Sequence, residues 1–181
     1  MCVITTAEAG SMPTIVQLAA MSEINPDGAG IAWYDGTTLH RYRNLDNNKT
    51  LGKIFSNYQY FTSVPFLLHF RHATHGGIRE TNTHPFHYEI DGERGYIAHN
   101  GIAEDYTTGL YGCDSRNVIQ AWQEHHADIT TGKQGKFASI NDNGVIRWHH
   151  GQEIVRGAKG SILVSNHKWE KAVNLVLDEA A

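Results

Sequence analysis

The apolar positions of this chain fall into short bursts, and the spacing within them changes repeatedly along its length. "CVIT" (2–5) is apolar and β-branched and predicts a strand. "PTIVQLAAMSEI" (13–24) carries apolar residues at 15, 16, 18, 19 and 21, with Pro13 at the first helical position, and predicts a helix. "GIAWYDGTTLHRYR" (30–43) holds two strand-like runs around Asp35-Gly36, which is a hairpin signal. "TLGKIFSNYQYF" (50–61) suggests a second helix with Gly52 as its weak point, and "FLLHFRHAT" (66–74) another strand. "HYEIDGERGYIAHNG" (87–101) and "KFASINDNGVIRWHH" (136–150) are two further hairpins, the latter turning at Asn143-Gly144. Between them "SRNVIQAWQEHH" (115–126) has helical spacing, with Ser115 or Asp114 as N-cap. "SILVSN" (161–166) is a strand, and "WEKAVNLVLD" (169–178) fits a helix or a strand. Hairpins mixed with a few helices indicate an α+β fold with largely antiparallel sheets.

Composition narrows the class without naming a function. With 181 residues, 40% hydrophobic and 19% charged, and no repeat or linker, the chain reads as one domain over 1–181. A net charge of -4 gives no broad attraction to nucleic acid or to an anionic membrane. No apolar run approaches a membrane span and no export signal is visible, so the cytoplasm is the expected compartment. The two cysteines, Cys2 and Cys113, are then expected as free thiols.

Five histidines (His69, His72, His75, His84 and His87) crowd into residues 67–88 and raise the question of a metal site. The first three are spaced H-x2-H-x2-H on an expected strand, where His69 and His72 would point to opposite faces. Neither H-E-x-x-H nor paired CxxC occurs, so no metal is expected and the histidines read as polar loop or core residues. Cys2 offers different chemistry. Removal of Met1 would make Cys2 the first residue, a nucleophile carrying its own base. An α-amine titrates at roughly 7.7–8.0 and can take the thiol proton directly or through a water.

Six blocks then occur in one order: Cys2, "NPDGAGIAWY" (25–34), "HFRHATHG" (69–76), "NTHPF" (82–86), "HNG" (99–101) and "DS" (114–115). Together they resemble the class II glutamine amidotransferases, a family of N-terminal-nucleophile hydrolases, and among these the small single-domain members. The resemblance extends from residue 2 to about 119, with the rest of the chain compatible but unspecific. It implies an αββα four-layer sandwich of two antiparallel sheets. It also implies that Cys2 attacks the side-chain amide carbon of glutamine, with the Asn100 amide and the Gly101 N–H forming the oxyanion hole. Arg71 would bind the substrate α-carboxylate, Thr74 and His75 would line the same pocket, and Asp114 would pair with the α-amino group. His84 and His99 would order the loops. No cofactor is implied.

Three departures bear on the substrate. Val3 follows the nucleophile where the family often has Gly, "INP" stands where multidomain members carry an Arg, and Arg116 replaces a frequent Glu after "DS". The expected activity is release of glutamate and ammonia through a γ-glutamyl thioester on Cys2. The ammonia goes to a partner synthase or into solution. The alternatives are hydrolysis of a larger γ-glutamyl amide, and a non-catalytic binding module with the same fold.

Overall fold

The computed structural model describes residues 2–179. Met1, on whose removal the expected chemistry of Cys2 depends, lies outside the described residues. Strand β1 (Val3–Ala7) leads to α1 (Ile15–Ile24), the hairpin β2 (Ala29–Tyr34) and β3 (Leu39–Asn44), then α2 (Asn47–Ser56) and α3 (Tyr58–Thr62). The chain continues through β4 (Phe66–Phe70), the hairpin β5 (Phe86–Ile90) and β6 (Glu93–Asn100), and α4 (Asp114–Gln123). It ends with β7 (Lys136–Asn141), β8 (Ile146–His150), β9 (Glu153–Arg156), β10 (Ser161–Val164) and α5 (Val173–Glu179).

The strands form two sheets, ordered β3-β2-β4-β1-β10-β9 and β5-β6-β7-β8, with antiparallel pairing throughout. Strand alternation sorts the side chains into layers. Val3, Ile31, Phe66, Leu68 and Phe70 face Leu18 and Met21 of α1 and Ile54 of α2. Their neighbours Ile4, Ala32 and Leu67 point the other way, onto Ala98, Ala138 and Ile140 of the second sheet. The far side of that sheet places Ile97 and Phe137 against Val118 and Ile119 of α4. The result is helices, sheet, sheet and helix: an αββα sandwich, as the family resemblance implies. Each fully buried Val, Leu, Ile, Met or Phe side chain in these layers contributes roughly 1.5–3 kcal/mol. Because β1 is buried on both faces, its sequence VITTA shows no alternation of apolar and polar positions, and Thr5 and Thr6 are buried with their apolar neighbours.

Several element boundaries differ from expectation. Pro13 stands outside α1, because Thr14 caps the helix in a capping box with Gln17. The expected helix over 50–61 is two helices that part at Asn57, whose side chain donates to the Lys53 carbonyl at 2.9 Å. Neither Asp114 nor Ser115 is the cap of α4. Both lie inside the helix with their side chains bonded elsewhere, and Cys113 occupies the cap position. Strand β4 stops at Phe70, four residues short of the expected end, which frees Arg71 to His75 for a loop. Strand β9 was not expected, since its short "EIVR" is exposed at three of four positions. The segment left open at 169–178 is a 3-10 turn (Lys168–Ala172) followed by α5.

Candidate active site

Sheet register brings distant residues to Cys2. Strand β4 runs antiparallel to β1 with Val3 opposite Phe70, so Arg71 and His72 emerge beside Cys2. The His72 backbone brackets the thiol: Cys2 Sγ donates to the His72 carbonyl at 3.4 Å, and the His72 N–H donates to Sγ at 3.3 Å. On the other side of β1, Thr5 faces Val164, which carries Ser165 and Asn166 alongside Ile4 and Cys2. Asn166 Nδ2 donates to the Cys2 carbonyl at 2.8 Å. Burial pushes the Cys2 thiol above its usual value, opposed by the His72 hydrogen bond and the nearby Arg71 charge.

Ser165 joins the two sheets at this point. Its fully buried Oγ accepts from Ile4 N at 2.9 Å, from Asn100 Nδ2 at 2.8 Å and from Asn166 Nδ2 at 3.3 Å. Asn100 is the last residue of β6 in the second sheet, so this contact ties it to the strand that carries Cys2. Gly101 follows with φ at 149°, and a Cβ there would meet Gly135 Cα at 2.9 Å. Only glycine fits that close approach.

Arg71 is 3% exposed, yet no carboxylate lies within ion-pair range of it among the described residues. Its Nη2 donates to the carbonyls of His75 and Gly76 at 3.2 and 3.1 Å, and its Nη1 has no partner. A buried cation with free donors is costly unless an anion meets it. The loop around it is held by Asp27, whose Oδ2 accepts from Ala73 N at 2.7 Å. Thr74 and the His75 ring are exposed. Thr74 and Gly101 line one cleft of about 390 Å3 with Ile102, Glu104 and Lys133, whereas His75 meets Arg71 through its carbonyl. Asp114 is buried, and its Oδ2 accepts from Ala103 N at 2.9 Å, so it fastens α4 to the segment after Gly101.

The histidines divide by burial. His69 and His84 are interior, with ring centroids 4.1 Å apart, while His72, His75 and His87 are exposed. His69 Nε2 donates to the His99 carbonyl at 3.1 Å. His99 Nε2 donates to the Gln134 carbonyl at 2.8 Å, which leaves Nδ1 to accept from the Ser115 hydroxyl. Desolvation lowers His69 to about 3, His99 to about 4 and His84 well below its usual value, so all three are neutral near pH 7. Among the described residues no three His, Cys, Asp or Glu side chains are grouped to hold a metal ion. Both cysteines are free thiols. No helix among the described residues is long and apolar enough to cross a membrane.

Ser165 and Asn166 are the site neighbours that sequence reasoning missed. "SILVSN" is legible as a strand, but nothing local says that it pairs with β1.

The family model for class II glutamine amidotransferases matches residues 2–117. The chain is 38% identical over 85 residues to the glutamine–fructose-6-phosphate aminotransferase of Methanococcus maripaludis, covering 44% of this chain and 13% of that protein. It is 35% identical over 86 residues to a Haemophilus influenzae relative whose name carries the term glutamine amidotransferase, covering 46% of this chain and 29% of that one. The chain thus spans under a third of the length of these relatives. Among solved structures, the glutamine phosphoribosylpyrophosphate amidotransferase of B. subtilis superposes with a TM-score of 0.54 at 16% identity, over 96% of this chain and 44% of that one. At that identity the likeness concerns the fold. With residues 2–117, well over half of the chain, matched to the family and the same layered sandwich, the chain belongs to the class II glutamine amidotransferases.

Proposed function

We propose that this domain hydrolyses the side-chain amide of glutamine through a γ-glutamyl thioester on Cys2, releasing glutamate and ammonia. The observation that carries the reading is Arg71: a buried guanidinium with no counter-ion and an unpartnered Nη1 among the described residues, one residue from the backbone that brackets the Cys2 thiol. A carboxylate accepting from that guanidinium would place the rest of a small amino acid beside Sγ. Thr74 and His75 would line that pocket, and Asp114 would pair with the α-amino group.

In this reading the α-amine of Cys2, free once Met1 is removed, takes the thiol proton and Sγ attacks the amide carbon. The oxyanion is met by the Asn100 side-chain amide and the Gly101 N–H. Such donors are worth roughly 3–4 kcal/mol each in related chemistry. The amide nitrogen then leaves as ammonia with the proton from the α-amine, and water hydrolyses the thioester to glutamate. Ammonia passes to a synthase partner or to solvent. The M. maripaludis relative, named as an aminotransferase that uses glutamine, makes the first route reasonable.

A second reading, hydrolysis of a larger γ-glutamyl amide, is favoured by the cleft beyond Thr74, which offers Glu104 and Lys133 to a longer leaving group. Glutamate and ammonia are to be measured from glutamine, and glutamate from a panel of γ-glutamyl amides, with wild type and Cys2→Ala. Intact mass reports whether Met1 is removed. The proposal fails if processed wild type turns over none of these substrates, or if Cys2→Ala retains the activity.

A further inference from the structure

A second concavity lies apart from the cleft around Thr74 and Gly101 and shares no lining residue with it. Arg41 and Arg43 stand two residues apart on β3, so strand alternation sends both to one face. Each is anchored on a neutral group: Arg41 Nη1 donates to the Pro85 carbonyl at 3.3 Å, and Arg43 Nη1 to the Thr83 carbonyl at 2.9 Å. Arg116, in the first turn of α4, lies over the Tyr111 ring with Cζ 3.7 Å from its centroid. These three arginines line one hollow of about 240 Å3.

The hollow has no acid to balance them. Among the described residues no carboxylate is within ion-pair range of Arg41, Arg43 or Arg116, and exposed Glu80 acts on Arg43 only from beyond that distance. Desolvation and the charges of Arg41 and Arg116 together pull Arg43 below the ordinary guanidinium value. The net charge of the chain is -4, so this positive field is local. Arg116 strengthens it at a helix N-terminus, where the dipole already favours anions over cations. Carbonyls and a ring hold the three side chains in place with most of their N–H donors unspent.

We propose that this hollow binds a small molecule through a phosphate monoester group. A carboxylate presents two coplanar oxygens and one charge, which a single guanidinium fork satisfies. A phosphate presents three terminal oxygens and a charge of about -1.5 to -2, which suits guanidinium groups arriving from β3 and from α4. The volume is below the roughly 300–1,000 Å3 of sites for drug-sized ligands, so the ligand is a phosphate with a short organic portion.

The test is calorimetric titration of the full chain with inorganic phosphate at low ionic strength, with citrate as the carboxylate arm. Wild type is compared with Arg41→Gln, Arg43→Gln, Arg116→Gln and Arg156→Gln. Arg156, exposed on β9 outside the hollow, loses the same charge and serves as the control. Saturable phosphate binding is expected in wild type and Arg156→Gln, weaker by about tenfold or more in each variant of the hollow. Circular dichroism melts identify variants that stay folded; if half-buried Arg43→Gln does not, Arg41→Gln and Arg116→Gln decide the matter. Cys2→Ala is expected to bind phosphate as wild type does, which separates this site from the proposed hydrolysis. Absence of saturable binding, equal weakening in all variants including Arg156→Gln, or tighter binding of citrate than of phosphate each overturns the proposal.

Discussion

Replacing Ser165 with alanine removes one oxygen, strands two donors and takes a long contact from a third. Ile4 N, Asn100 Nδ2 and Asn166 Nδ2 all converge on Ser165 Oγ, at 2.9, 2.8 and 3.3 Å, in a place with no solvent exposure. The void left by a hydroxyl is too small for a water to enter and restore the bonds. A buried hydrogen bond contributes about 1 kcal/mol net, and an orphaned buried donor costs roughly 1–3 kcal/mol. The third contact is long and Asn166 Nδ2 keeps the Cys2 carbonyl, so the total comes to about 3 kcal/mol rather than the upper sum. A domain stable by roughly 5–15 kcal/mol survives that loss and can still be assayed. Under the proposed mechanism Asn100 also loses the contact that orients its amide. Deleting an oxyanion donor costs about 10²–10³ in kcat, so loosening one should cost about tenfold. Urea denaturation read by far-ultraviolet circular dichroism gives the stability change, and initial rates of glutamate formation give kcat. A stability loss below about 1 kcal/mol would refute the account of Ser165 as the shared acceptor. An unchanged kcat in a destabilised Ser165→Ala would refute its link to Asn100.

The remaining expectations concern Arg71, Gly101 and the buried histidines. Arg71→Lys keeps the charge but loses the fork and the two carbonyl contacts, so KM for glutamine should rise about tenfold or more with a smaller change in kcat. A fall in kcat alone would contradict the carboxylate role. Gly101→Ala forces a Cβ to 2.9 Å from Gly135 Cα at a φ of 149°, and should lower stability by about 1–3 kcal/mol in the same urea assay. His69 and His99 are held near 3 and 4, against 6.5 for an ordinary imidazole. Between those values the unfolded chain takes up protons that the folded chain refuses. Stability is therefore full above about pH 6.5 and is lost as pH falls toward 4 and then 3, by several kcal/mol in total at roughly 1.4 kcal/mol per unit. Urea midpoints that stay level from pH 7 down to pH 5 would count against this, and His69→Gln should flatten the decline.

Much of the architecture was legible because strand and turn signals are local. Asp35-Gly36 and Asn143-Gly144 announce hairpins, since Gly36 and Gly144 take up positive φ of 99° and 78°. The long helix expected over 50–61 failed for an equally local reason, since Asn57 turns its amide back onto the Lys53 carbonyl and ends α2. β9 escaped notice because an edge strand exposed at most positions shows no apolar alternation. The histidine-rich stretch misleads on composition alone: His69 is an interior donor on β4, and His72 contributes its backbone, not its ring, to Cys2.

The order and identity of the motifs around Cys2, Arg71, Asn100 and Gly101 were enough by themselves to indicate the family and the layered sandwich. Chemistry-bearing residue types in one fixed order form a pattern along the chain. What only the tertiary structure decided is which backbone and side-chain partners hold those residues. Antiparallel register sets Val3 against Phe70 and Thr5 against Val164, and it thereby delivers His72, Ser165 and Asn166 to the start of β1. The same is true of the hollow shared by Arg41, Arg43 and Arg116. Register depends on how whole strands bury their alternate faces, a property of the assembled sheets that no local stretch of residues carries.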